Sequence, residues 1–141
     1  MSEILRAVSL TDEQLVERLR RNNEALNRGE FDVAIEMAHP EIVFVRPGGL
    51  PELRGIDAIR AWMEPDAFES QSIELLSYEV DGNRVLTRQR TTARGAGSGI
   101  EMEIDSLSVW TFDDRGMVTR VEAFTKQEED AALRALHQER N

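Results

Sequence analysis

Arg46, Arg88, Arg90 and Asp105 sit in strand-like runs of this sequence, and their types could do chemistry. Arginine brings a fixed positive charge and a rigid fork of donors. It stabilises carboxylates and developing oxyanions but accepts no proton at neutral pH. Asp105 could transfer a proton if a pocket held it beside a substrate. Asn22, which interrupts the apolar stripe of a helix, could bind a carbonyl. This set points to cofactor-free acid/base chemistry on a compact apolar substrate with a carbonyl, carboxylate or epoxide. Asp105 would move the proton, and Arg46, Arg88 and Asn22 would stabilise negative charge.

The elements that must position these groups are readable from the spacing of apolar residues. Thr11 with Gln14 three residues on forms a capping box, with Asp12 and Glu13 at the positive end of a helix. Leu15, Val16, Leu19 and Leu26 make its apolar stripe, and Gly29 ends it. "EFDVAIEMA" reads as a second helix, facing inward with Phe31, Ala34, Ile35 and Ala38 and stopped by His39-Pro40. "EIVFVR" reads as a strand and "PGGLPELRG" as a loop. "IDAIRAWM" reads as a third helix closed by Pro65. Four strand-like runs follow: "SIELLSYEV", "RVLTRQRTTAR", "GIEMEIDSLSVWTF" and "MVTRVEAFT". Turns at "DGN", "GAGSG" and "DDRG" separate them. A closing helix carries Ala132, Leu133 and Leu136 on one face.

That order predicts an α+β fold in which helices cover one face of a curved, mostly antiparallel sheet, leaving a cone that encloses a pocket. The expected organisation is a flexible lead-in over 1–10, one domain over 11–136 and a polar tail over 137–141. With 141 residues the chain can bury a sizeable core.

Composition narrows the function classes. There are 27 acidic and 17 basic residues, a net charge of -10 that disfavours nucleic acid and anionic membranes as partners. No apolar run reaches the ~20 residues of a membrane span, and no secretory leader is evident, so the expected location is cytoplasmic. Cysteine is absent and the two histidines, His39 and His137, lie far apart, so neither metal nor cofactor is expected. "RGAGSG" joins two strands and lacks a P-loop lysine, which makes it a hairpin loop. His39 is expected at a helix end, interacting with local carbonyls.

Two stretches, "RGEFDVAIEMAHPEIVFVRPGG…LRGIDAIRAWM" and "DGNRVLTRQRTTARGAGSGIEMEIDSLSVWTFDDRGMVTRVEAF", resemble the SnoaL-like branch of the nuclear transport factor 2-like superfamily. The likeness runs from about Thr11 to Leu136. It implies a strongly curved, cone-shaped sheet with three N-terminal helices over its concave face and a short C-terminal helix, a cystatin-like α+β barrel. The superfamily holds isomerases, polyketide cyclases, epoxide hydrolases, dehydratases and noncatalytic binding proteins, so fold alone does not choose among them.

Aligned with a ketosteroid isomerase, the general base falls on Arg46, the oxyanion tyrosine on Asn22 and the protonated aspartic acid on Ser108. All three differ, and an arginine cannot serve as the base. Against limonene-type epoxide hydrolases, the strand holding Arg88 and Arg90 lacks an Arg-x-Asp spacing. Against the cyclases, which pair a strand aspartate with a histidine, Asp105 could supply the first, but neither His39 nor His137 is placed to supply the second.

The same alignment turns Phe44 and Arg46 into the cone, and likewise Leu86, Arg88, Arg90 and Thr92. The opposite reading leaves the arginines solvated. Asp105 lies where alternation is ambiguous. Ile100, Met102 and Ile104 share one face, Leu107 and Val109 the other, and Trp110 and Phe112 return to the first. Either both faces are buried, for instance by dimerisation, or a bulge near Asp105 and Ser106 re-aims the strand. Phe44, Trp62, Met63, Arg90, Ser108 and Trp110 join Asn22 as candidate pocket wall. Three function classes therefore stand open: an acid/base enzyme, a noncatalytic pocket for a small anionic or carbonyl-bearing molecule, and an association module that dimerises through the outer sheet face.

Overall fold

A computed structural model describes residues 10–63, 68–95 and 97–138. Helix α1 (Asp12–Asn27) starts at a complete capping box: Thr11 Oγ1 accepts from the Gln14 N–H, and Gln14 Oε1 accepts from the Thr11 N–H. Helix α2 (Phe31–Ala34) runs into a 3-10 turn, Ile35–Met37. Then come β1 (Ala38–Val45), β2 (Leu53–Arg54), α3 (Ile56–Met63), β3 (Phe68–Asp81), β4 (Arg84–Gly95), β5 (Glu101–Phe112) and β6 (Val118–Thr125). A second 3-10 turn, Lys126–Glu128, leads into α4 (Glu129–His137).

The six strands form one sheet in the order β2-β1-β6-β5-β4-β3, antiparallel except for the β1–β6 pair. The α+β class and the four-strand meander are as read from the sequence. Three local expectations change. The second helix finishes in its 3-10 turn at Met37, because the chain is already extended at Ala38; His39-Pro40 lies inside β1 rather than ending a helix. His39 accordingly meets no helix end, and its Nδ1 accepts from the Glu41 N–H at 3.0 Å. The loop after Arg46 contains the short strand β2, which pairs with Val43 and Phe44.

Both faces of the sheet are covered. On one, Leu15 and Leu19 of α1 and Ile59 of α3 pack against Ile42, Val85, Phe112, Val118 and Val121. On the other, Ala132 and Leu136 of α4 pack on Leu86, Leu107 and Val109. The sheet thus has an α1 face and an α4 face. The β4–β5 register is unbroken from Arg84–Thr111 to Arg94–Glu101, so no bulge re-aims Asp105. The ambiguous alternation in β5 resolves as burial of both faces in its second half, supplied by the protein's own helix α4. In the first half, Ile100, Met102 and Ile104 stay exposed.

Helix α4 is anchored by polar groups as well. Arg84 Nη1 donates to the carbonyls of Ala135 and Gln138 at 3.0 and 2.7 Å, satisfying acceptors at the helix end that would otherwise lack a partner. Leu136, fully buried, is its central apolar contact. Leu136→Ala should cost about 2–5 kcal/mol of unfolding free energy, read by chemical denaturation, because the seam leaves a cavity where the side chain was.

Candidate functional site

Between α1, the 3-10 turn and the sheet lies a cavity of about 120 Å³. Helix α1 contributes Leu19, Asn22, Asn23 and Leu26; the α1 face of the sheet contributes Phe44, Ile73, Leu75, Thr87, Gln89, Ser108 and Trp110. The wall is overwhelmingly apolar, and no described residue lining it carries an ionisable side chain.

Strand alternation explains which residues arrive there. With α4 docked on Leu86, Leu107 and Val109, period two sends Thr87, Gln89, Ser108 and Trp110 to the other face. They form one hydrogen-bonded array. Trp110 Nε1 donates to Thr87 Oγ1 at 3.0 Å, and Thr87 Oγ1 donates to Gln89 Oε1 at 2.7 Å. Gln89 Nε2 donates to Ser108 Oγ at 2.9 Å and to Ser106 Oγ at 3.3 Å. On the helix side, Asn22 Nδ2 donates to the Ala34 carbonyl, and Asn23 Nδ2 donates to the Ile73 carbonyl at 2.8 Å. Asn27 brackets the same edge-strand residue, donating to its carbonyl and accepting from its N–H. Asn22 and Asn23 thus break the apolar stripe because they tie α1 to its neighbours around the cavity.

Of the residues singled out from the sequence, Asn22, Phe44, Ser108 and Trp110 line this cavity. The side chains of Trp62 and Met63 lie outside the described residues. Arg46, Arg88, Arg90 and Asp105 are not among the lining residues; of the two orientations the sequence left open, Arg88, Arg90 and Asp105 take the outward one. Arg46, just past the end of β1, turns onto its own loop, donating from Nε and Nη2 to the Pro51 carbonyl at 3.1 and 2.8 Å. Gly48 and Gly49, both at positive φ, let the chain fold back to bring that carbonyl within reach.

Arg88 and Arg90 share the α4 face with Leu86. Arg88 binds Glu79 at 2.6 Å and Glu129, in the first turn of α4, at 3.0 Å. It therefore links β3, β4 and α4. Arg90 makes a fork to Asp105, Nε to Oδ1 at 2.9 Å and Nη2 to Oδ2 at 3.3 Å, with Lys126 Nζ 3.9 Å from the same carboxylate. Glu101 and Glu103 stand opposite Arg94 and Thr92 on that face. The bonds from Arg90 hold the Asp105 carboxyl below the usual carboxylate range, against a smaller opposing effect of desolvation. At neutral pH it is an ionised partner of arginine.

Sequence reasoning missed Thr87, Gln89, Asn23 and Ser106. The signal was available: a C-terminal helix with Ala132, Leu133 and Leu136 on one stripe needs an apolar seat, and Leu86, Leu107 and Val109 supply it on a single face. Placing them under that helix sends Arg88 and Arg90 outward and Thr87 and Gln89 inward.

With the geometry in place, the comparisons with known proteins are direct. The SnoaL-like domain family model matches residues 19–121, and the chain belongs to that family. Among solved structures it is similar to SalBIII, an epoxide hydrolase/cyclase-like enzyme of pyran ring formation in the polyether salinomycin, with a TM-score of 0.74 and 20% identity over 82% of this chain and 94% of that one. It is similar to Bal32a, from a soil-derived mobile gene cassette, with a TM-score of 0.72 and 21% identity over 86% and 95% of the two chains. An LEH-like epoxide hydrolase from M. tuberculosis gives 0.69 and 16% over 88% and 92%. At these identities the likeness establishes the fold. No curated protein matches the sequence. Among the described residues no helix is long and apolar enough to cross a membrane.

The depressed Asp105 carboxyl has a defined pH signature. Its stabilising contribution is present above the unfolded value of about 3.9 and is lost as pH falls through the lower folded value. A carbon-detected NMR titration should give a midpoint for Asp105 below that of a model aspartate. In Arg90→Gln it should rise toward the model value while the cavity signals of Trp110 and Gln89 stay in place.

Proposed function

We propose that this protein binds a compact, neutral, mostly apolar small molecule in the cavity beneath α1. One observation carries the reading: every described side chain lining the cavity is uncharged, and the polar ones are amides, hydroxyls and an indole. An ionised ligand would lose its hydration there without meeting an opposite charge, which is strongly unfavourable. A neutral apolar ligand gains by leaving water. The volume is close to the ~150 Å³ at which an apolar protein cavity takes up benzene. Isomerase, cyclase, hydrolase and dehydratase chemistry of the acid/base kind would require a proton carrier within hydrogen-bond reach of the ligand. The described wall offers none that titrates near neutral pH. The epoxide hydrolase and cyclase-like relatives favour a small organic ligand of the same general class. The anionic ligand suggested by three inward arginines loses its support, since each of those arginines is engaged elsewhere.

Thermal unfolding tests this. Toluene at millimolar concentration should raise the melting temperature through preferential binding to the folded state, and benzoate at equal concentration should not. Leu75→Trp, which fills the cavity from β3, should remove the toluene effect. Stabilisation by benzoate, or by neither compound, would count against the reading.

A second reading is self-association. Ile100, just before β5, and Met102 and Ile104 on it are 64%, 40% and 58% exposed, whereas the opposite face there carries the Arg90, Arg94, Glu101 and Asp105 charges. A homodimer would use the apolar stripe rather than the charged outer face, two copies meeting as the same patch on each side. Sedimentation equilibrium should show dimer at micromolar concentration for the native chain and monomer for Ile104→Glu.

A further inference from the structure

The array in the cavity has a direction, and that direction decides which neutral ligands fit. An indole N–H only donates, so Thr87 Oγ1 accepts from Trp110. Thr87 is fully buried, with a relative exposure of 0%. Its own proton therefore needs an acceptor, and Gln89 Oε1, 2.7 Å away, is the one it has. That fixes the Gln89 amide with its NH2 end toward β5, where one hydrogen goes to Ser108 Oγ and the other to Ser106 Oγ. Rotating the amide end for end would give Thr87 two donors and leave its buried proton without an acceptor. The arrangement drawn satisfies Thr87 and Gln89 completely.

What remains is the hydroxyl proton of Ser108. Its oxygen already accepts from Gln89, its residue is only 4% exposed, and its hydroxyl donates to no acceptor among the described residues. Ser108 lines the cavity. The chain Trp110 to Thr87 to Gln89 to Ser108 thus presents one hydroxyl donor on the sheet side of the cavity, across from the Asn22 and Asn23 amides of α1. Each hydrogen bond upstream polarises the next in the same sense.

We infer that Ser108 is a specificity-determining residue that donates a hydrogen bond to an acceptor oxygen of the ligand, selecting ketones, ethers, esters or epoxides over hydrocarbons of the same shape. This rests on the cavity being the binding site. The chemistry needs only one acceptor on the ligand.

Cyclohexanone and methylenecyclohexane, equal in shape and differing only in C=O against C=CH2, make the comparison. Their dissociation constants can be read from the Trp110 indole N–H signal during NMR titration of the full chain. Ser108→Ala should weaken cyclohexanone about two- to tenfold, the range of one hydrogen bond, while methylenecyclohexane changes by less than about twofold. Ser108→Cys, which keeps the volume and replaces the hydroxyl by a weak donor, should shift the ratio in the same direction and guards against a folding defect in the alanine variant. Equal effects on both compounds, or an unchanged ketone affinity in both variants, would overturn the role of Ser108 while leaving the cavity as the binding site. If neither compound perturbs Trp110 in the native chain, the binding reading itself falls, and this one with it.

Discussion

The seating of Leu86, Leu107 and Val109 beneath α4 is the contact from which the rest of the sheet takes its orientation. A strand has a period of two, so one residue placed on a face places all the others. The helix needs an apolar seat for Ala132 and Leu136, and these three residues supply it on two adjacent strands in register. Once they are down, Arg88, Arg90 and Asp105 must share their face, and Thr87, Gln89, Ser108 and Trp110 must fill the other. No slip of one residue is tolerated, since it would put two arginines against the apolar core on the α1 face.

The charged residues on the α4 face are then engaged in contacts that tie strands and helix together. Arg88 reaches from β4 to Glu79 on β3 and Glu129 at the start of α4, and Arg90 grips Asp105 across the β4–β5 pair. Exposed pairs of this kind contribute little to stability by themselves. Their value is geometric, since they hold strands and helix in one arrangement while keeping charge on the solvent side. Arg46 behaves likewise, closing a loop through a carbonyl of its own segment.

Much of this was legible beforehand. The capping box at Thr11, the extent of α3, the meander and the family likeness all came from local spacing and composition, and the structure repeats them. What failed was the choice between two faces of a strand. Alternation shows that Arg88 and Arg90 travel together, but it cannot say which side is the inside. That depends on a helix some 40 residues away in sequence docking on β4, as the 41-residue separation of Arg88 and Glu129 records. The helix predicted over 30–38 is helical over 31–37 but ends in a 3-10 turn, because Ala38 pairs with β6 and starts the strand. Ser108 and Asn22, found by alignment, proved to be cavity residues, although the companions that orient Ser108 had no signal of their own.

Strand β5 separates two tasks by residue parity. Between Asp105 and Trp110, Leu107 and Val109 secure the helix on one side, and Ser106, Ser108 and Trp110 shape the array on the other. Neighbouring residues therefore answer to different physical constraints. Substitutions at every second residue reshape the cavity side of the strand, while the intervening ones keep α4 seated.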